Sequence, residues 1–137
     1  MDRRDLLKGM GAAAMLPLAL DAHAQGAETV YELRIYHLNE GKEALILDRF
    51  RTKETKIFAR CGMNGVAYWV PTEEPLAGRT LVYMLRHKSR EAAKESWAKF
   101  SADPEWVALK AETEKAGAFV KLHESTFLKL TDFSPVL

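Results

Sequence analysis

An α+β domain with its elements in the order β-α-β-β-α-β is what this 137-residue sequence predicts. Three observations carry the prediction. Residues 30–38 alternate like a strand, residues 42–61 carry an apolar stripe at helical spacing, and a second set of strand, helix and strand signals follows towards the C-terminus.

The first strand places Tyr31, Leu33 and Ile35 on one face and Glu32, Arg34 and Tyr36 on the other. The apolar set is expected to face the core. Asn39-Glu40-Gly41 makes a turn, after which Ile46, Leu47, Phe50, Ile57, Phe58 and Cys61 recur at three- and four-residue steps, as in an amphipathic helix. Gly62, Asn64 and Gly65 break that helix. Residues 66–70 then form a short β-prone run closed by Pro71 and Thr72-Glu73-Glu74-Pro75. Residues 80–87 supply a third strand, close enough to pair with the second as an antiparallel hairpin.

Ser89 is placed to cap the second helix with Glu91 in its first turn, and Ala93, Trp97 and Phe100 mark its apolar face. Asp103-Pro104 restarts the helix, since Asp caps well and Pro suits the first helical position. Trp106, Val107 and Leu109 follow, Gly117 ends the segment, and residues 120–130 alternate as the last strand. This is the split βαβ order of ferredoxin-like domains, with helices on one sheet face only. Tyr36, Met84 and one of Tyr68 or Trp69 are expected on the uncovered face, where a second copy of the chain would bury them in a homodimer.

The N-terminus reads differently. Arg3, Arg4 and Lys8 precede an uncharged run over residues 9–20, and Ala22-His23-Ala24 supplies a small-residue cleavage pattern before Gln25. Residues 1–24 are therefore expected to be a signal peptide of the twin-arginine type, with Asp2 and Leu6 departing from the usual motif, and residues 25–137 a single periplasmic domain. The apolar run is too short to anchor the chain, so no stable membrane insertion of the mature protein is expected. Basic and acidic residues number 20 and 19, an even balance that offers nucleic acid no footprint. Cys61, the single cysteine, ends an apolar stripe and is expected to be a small buried hydrophobe.

Four segments in order, Tyr31-Glu32-Leu33-Arg34-Ile35-Tyr36, Gly65-Val66-Ala67-Tyr68-Trp69, Asp103-Pro104-Glu105-Trp106 and Thr131-Asp132-Phe133-Ser134-Pro135, resemble a NIPSNAP domain over nearly all the mature chain. The resemblance implies a dimeric α/β barrel in which two ferredoxin-like sheets face each other. Relatives on that fold include haem-degrading oxygenases, cofactor-free monooxygenases and simple binding proteins, so the fold does not choose a chemistry.

His23 leaves with the signal, and His37, His87 and His123 all fall at or in strands, whereas the haem-degrading relatives hold iron through a helix-borne histidine. No spacing suits zinc, a phosphate-binding loop or a nucleophile elbow, and no cofactor is expected. The open sheet face remains. Glu32, Arg34 and Tyr36 are expected there as a substrate-binding set, joined by Tyr68 from the second strand and by Met84 and Arg86 from the third. Alternatively Glu32 and Arg34 pair with each other and only set the register of the dimer interface. Trp97, Phe100 and Trp106 are expected in the core, and residues 110–115 on a solvated helix face. Two functions are compatible with these features. One is an exported protein that binds a small apolar or aromatic molecule in a dimer cavity, with cofactor-independent oxygenation as the reaction considered. The other is a non-enzymatic interaction or structural module of the cell envelope.

Overall fold

The structure is a computed structural model, and it describes residues 29–137. Arg3, Arg4, Ala22 and Ala24, expected from the sequence to belong to a signal peptide, lie outside the described residues. Strand β1 (Val30–Leu38) leads into one long helical segment: α1 (Glu43–Arg49), a π-helical turn (Phe50–Glu54) and α2 (Thr55–Arg60). Then come β2 (Asn64–Trp69), β3 (Thr80–His87), α3 (Arg90–Ala102), α4 (Pro104–Thr113) and β4 (Val120–Leu128). The order is the expected β-α-β-β-α-β. No helix among the described residues is long and apolar enough to cross a membrane.

Local chemistry sets the boundaries. The Ser89 hydroxyl accepts from the Ala92 amide at the start of α3, and the Asp103 carboxylate accepts from Glu105 and Trp106 with Pro104 at the first helical position. The four strands form one antiparallel sheet in the order β2-β3-β1-β4, so β1 and β3 are central. A bulge between Gly65 and Ala67 shifts the register of β2 on β3.

The register decides which side chains share a face, because directly paired residues of antiparallel strands point the same way. Glu32 pairs with Leu85, Arg34 with Tyr83 and Tyr36 with Leu81. That face packs beneath the helices: Leu81, Tyr83 and Leu85 join Ile46, Phe50, Ile57, Phe58, Met63 and Phe100 in the core. The helix-covered face of β1 is thus the one bearing Glu32, Arg34 and Tyr36, which corrects the expectation that Tyr31, Leu33 and Ile35 would face the helices. Burying the charged face is feasible because every charge on it finds a partner there, as described below.

Leu33 pairs with Met84 and Tyr31 with Arg86, so Met84 and Arg86 stand on the opposite sheet face from Arg34. They do not join the expected set. Tyr68 and Trp69 are also exchanged relative to expectation. Tyr68 lies under the helices, stacked on Tyr83 at 5.5 Å and edge-on to Phe50 at 5.9 Å. Trp69, paired with Val82, is on the bare face and 48% exposed. That bare face carries Leu33, Ile35, Ala67, Val82, Met84 and Leu122, with Leu122 60% exposed. Cys61 is buried, as expected.

Candidate functional site

The helix-covered face of β1 holds a buried polar network with Glu32 at its centre. Only 1% of Glu32 is exposed, and its carboxylate accepts four hydrogen bonds. Arg34 Nη1 donates to Oε2 at 2.8 Å and Ser125 Oγ to the same oxygen at 2.6 Å; Trp97 Nε1 donates to Oε1 at 2.8 Å and His87 Nε2 at 2.9 Å. His87 meets an ionised carboxylate through Nε2, so that nitrogen carries a proton and donates. Burial pushes the Glu32 carboxyl up, but donation from His87, Ser125, Trp97 and Arg34 outweighs it and brings the group down to about 2.

The Arg34 guanidinium is fixed on several sides. Nε donates to Tyr83 Oη at 3.1 Å and Nη2 to Tyr36 Oη at 3.4 Å, and the group lies 4.2 Å from the centre of the Trp97 ring. Tyr83 donates its own hydroxyl to Tyr36 Oη at 2.7 Å. Tyr36 Oη therefore accepts from both Arg34 and Tyr83, which leaves its own hydrogen to donate elsewhere. Burial raises the pKa of Tyr36, keeping it a neutral donor.

A second buried charge pair stands across from this network. Arg49 Nε donates to Glu54 Oε1 at 2.9 Å, and Arg49 Nη1 donates to Thr113 Oγ1 at 2.9 Å and Glu114 Oε2 at 2.8 Å. The Arg49 guanidinium is sandwiched 4.4 Å from the Phe119 ring centre and 4.8 Å from that of Trp106. Glu54 is 2% exposed and has far fewer donors than Glu32. Burial raises its carboxyl, Arg49 only partly opposes this, Glu114 adds repulsion, and the group is pushed up to about 7. Two buried carboxylates in one domain are thus pushed in opposite directions because one is saturated with donors and the other is not.

Between the sheet and the helices lies a cavity of about 350 Å3 lined by both networks. Arg34 and Tyr36 come from β1, His123 from β4, Arg49 and Glu54 from the long helical segment, Trp97 and Phe100 from α3, and Trp106, Lys110 and Glu114 from α4. Of the six residues expected from the sequence to bind a ligand, Arg34 and Tyr36 line this cavity and Glu32 positions Arg34 from beneath. Tyr68 borders a separate, smaller apolar groove with Leu47, Phe50 and Leu81. Met84 and Arg86 are on the other side of the sheet. Trp97 and Trp106 pack against the core as expected and also face the cavity, and Lys110 and Glu114 belong to its wall and not only to a solvated face.

A larger hollow of about 440 Å3 lies among the ends of β1 and β3 and the loops beside them, lined by His37, Arg79, Thr80 and Lys121 among others. It touches neither buried network. Among the described residues no group of three or more His, Cys, Asp or Glu side chains is placed to hold a metal ion.

The fold and cavity define a ferredoxin-like α+β domain with a polar chamber between sheet and helices. The NIPSNAP family model matches residues 31–135, and the chain belongs to that family. Solved structures agree. A NIPSNAP-like domain protein from Burkholderia xenovorans superposes with a TM-score of 0.69 at 20% identity, over 80% of this chain and 91% of that one. A NIPSNAP family protein from Agrobacterium tumefaciens gives 0.68 at 26% identity, over 80% and 99%. SnoaB from Streptomyces nogalater, a cofactor-independent oxygenase, is more distant, with a TM-score of 0.53 at 16% identity over 80% and 99%, a likeness of fold alone. No curated protein sequence matches the chain.

Proposed function

We propose that this NIPSNAP-family protein binds a small aromatic molecule bearing a carbonyl or carboxylate group, in the chamber between sheet and helices of each protomer. The observation that carries the reading is Arg34: a buried guanidinium held by Glu32, Tyr83 and Tyr36 against the Trp97 ring, at the wall of a cavity of about 350 Å3. A fixed cation with unused N–H groups, beside a phenol with a free hydrogen, suits an oxygen of a ligand, and Trp97, Phe100 and Trp106 suit its ring. Relative to the sequence-based expectation, the site moves from the dimer cavity to the interior of one protomer.

The bare sheet face has a different use. Its apolar side chains, Leu33, Ile35, Val82, Met84 and Leu122, fit a homodimer interface, and the protein is proposed to be an exported dimer. Cofactor-independent oxygenation, the activity named for SnoaB, ranks below binding because it rests on fold alone.

The test is a thermal-shift screen of small aromatic ketones and carboxylates against wild type and Ser101→Trp, which fills the rim of the cavity from an exposed position and leaves the buried networks intact. Ligands that raise the melting temperature of the wild type but not of the variant support the reading. A screen in which nothing binds, or in which the variant responds equally, overturns it.

A further inference from the structure

Glu54 is not needed to hold the fold's charges in balance. Arg49 already has Glu114 and Thr113 as partners, yet Glu54 is buried beside it on the cavity wall with one hydrogen bond. The π-helical turn over Phe50–Glu54 is what brings it there, and such turns are frequent at functional sites. On the same cavity, Arg34 and Tyr36 form a holder for an oxygen. Three of the five Arg34 N–H groups are engaged within the protein, which leaves two.

We propose that Glu54 is the proton acceptor of this cavity, removing a proton from a carbon next to the carbonyl group whose oxygen Arg34 and Tyr36 hold. The proposal rests on the small-molecule reading above and adds the substrate class: aromatic ketones and related carbonyl compounds with an acidic C–H. In the step, the electron pair of the C–H bond becomes a carbon–carbon double bond and the carbonyl π pair moves to oxygen. The resulting enolate oxygen meets the Arg34 cation and the Tyr36 hydroxyl, while the Glu54 carboxylate becomes a carboxylic acid. Returning the proton to carbon, or exchanging it with water first, closes the cycle with no oxidant or reductant.

The groups around Glu54 suit the task. Arg49 pairs with it from its own helix, Lys110 and Glu114 act on it from α4, and Tyr36, Tyr83 and Tyr68 feel its charge from β1, β3 and β2. Arg34 and His123 share the cavity. Burial holds the carboxyl at about 7, where a base is both available and strong enough to act near neutral pH.

The experiment uses the full chain and 2-indanone as probe, with loss of its benzylic CH2 signal in D2O followed by NMR and binding followed separately through the Trp97 indole signal. Wild type is expected to bind the probe and accelerate exchange, with a rate that rises with pH through about 7. Glu54→Gln is expected to keep binding and lower the exchange rate by about 100-fold or more. A bound probe that exchanges no faster than the free one, or a Gln variant as fast as wild type, overturns the proton role and leaves the binding reading standing. Failure of the probe to bind overturns both. If the Gln variant does not fold, the wild-type profile decides: a rate independent of pH between about 5 and 9 overturns the proposal.

Discussion

Arg49 and Glu54 lie five residues apart on one helical segment, and their side chains meet at 2.9 Å. At about 3.6 residues per turn, a regular α-helix would leave them about 140° apart around the axis. The wider π turn between them removes most of that angle and turns both towards the cavity.

This pair should be visible in the pH dependence of stability. The Glu54 carboxyl, ordinarily near 4.5, is held at about 7, so the folded protein binds that proton more tightly than the unfolded chain. Its contribution is fully present below about 4.5 and is lost as pH rises to about 7. Denaturant melts of the wild type should lose on the order of 3 kcal/mol across that window, and Glu54→Gln should flatten the slope. An unchanged slope in the variant would place the titration on another group.

Glu32 has the opposite sign. Held at about 2 against an ordinary 4.5, it stabilises the fold above about 4.5 and ceases to do so as pH falls towards 2. Replacing it with Gln leaves Arg34 buried without its carboxylate and should cost roughly 3–5 kcal/mol at pH 7. Trp97→Phe removes one donor to Glu32 and weakens the stack on Arg34, and should cost about 1–2 kcal/mol. A loss below about 1 kcal/mol for Glu32→Gln would mean that the network is not holding the fold.

The strands and the caps at Ser89 and Asp103 were legible because alternation and capping are local signals. The sidedness of β1 was not. Glu32 and Arg34 look like an exposed pair in sequence, and what makes their burial tolerable is supplied by His87, Trp97 and Ser125, at separations of 55, 65 and 93 residues. Hydrophobicity alone points to the apolar trio Tyr31, Leu33 and Ile35 as the helix side, which misplaces Glu32, Arg34 and Tyr36 on the bare face beside Met84 and Arg86, the two that do stand there. Glu54 is hidden in the sequence for a different reason. The apolar stripe from Ile46 to Cys61 fits an unbroken α-helix, so nothing in it marks the π turn. A buried Arg49 or Glu54 has no local signature either, since their shielding comes from Phe119, Trp106 and Glu114.

The bare sheet face predicts a dimer. Light scattering at micromolar concentration should give about twice the protomer mass, because a surface carrying Trp69, Met84 and Leu122 is too apolar to stay hydrated. Met84→Glu should produce monomers that keep the buried Glu32 network. A wild type that is already monomeric contradicts this use of the face.

Export is tested by changing Arg3 and Arg4 together to Lys. The precursor should then remain in the cytoplasm if the twin-arginine route carries it. Normal periplasmic accumulation of the variant removes that route from the account.

The position of the ligand is the central claim, and the three tryptophans report on it directly. Trp97 and Trp106 line the chamber between sheet and helices, whereas Trp69 stands on the opposite sheet face. In a 1H–15N NMR titration with 2-indanone, the indole N–H signals of Trp97 and Trp106 should move with a common saturation curve while that of Trp69 stays in place. Movement of Trp69 alone would put the ligand on the bare sheet face and contradict the account.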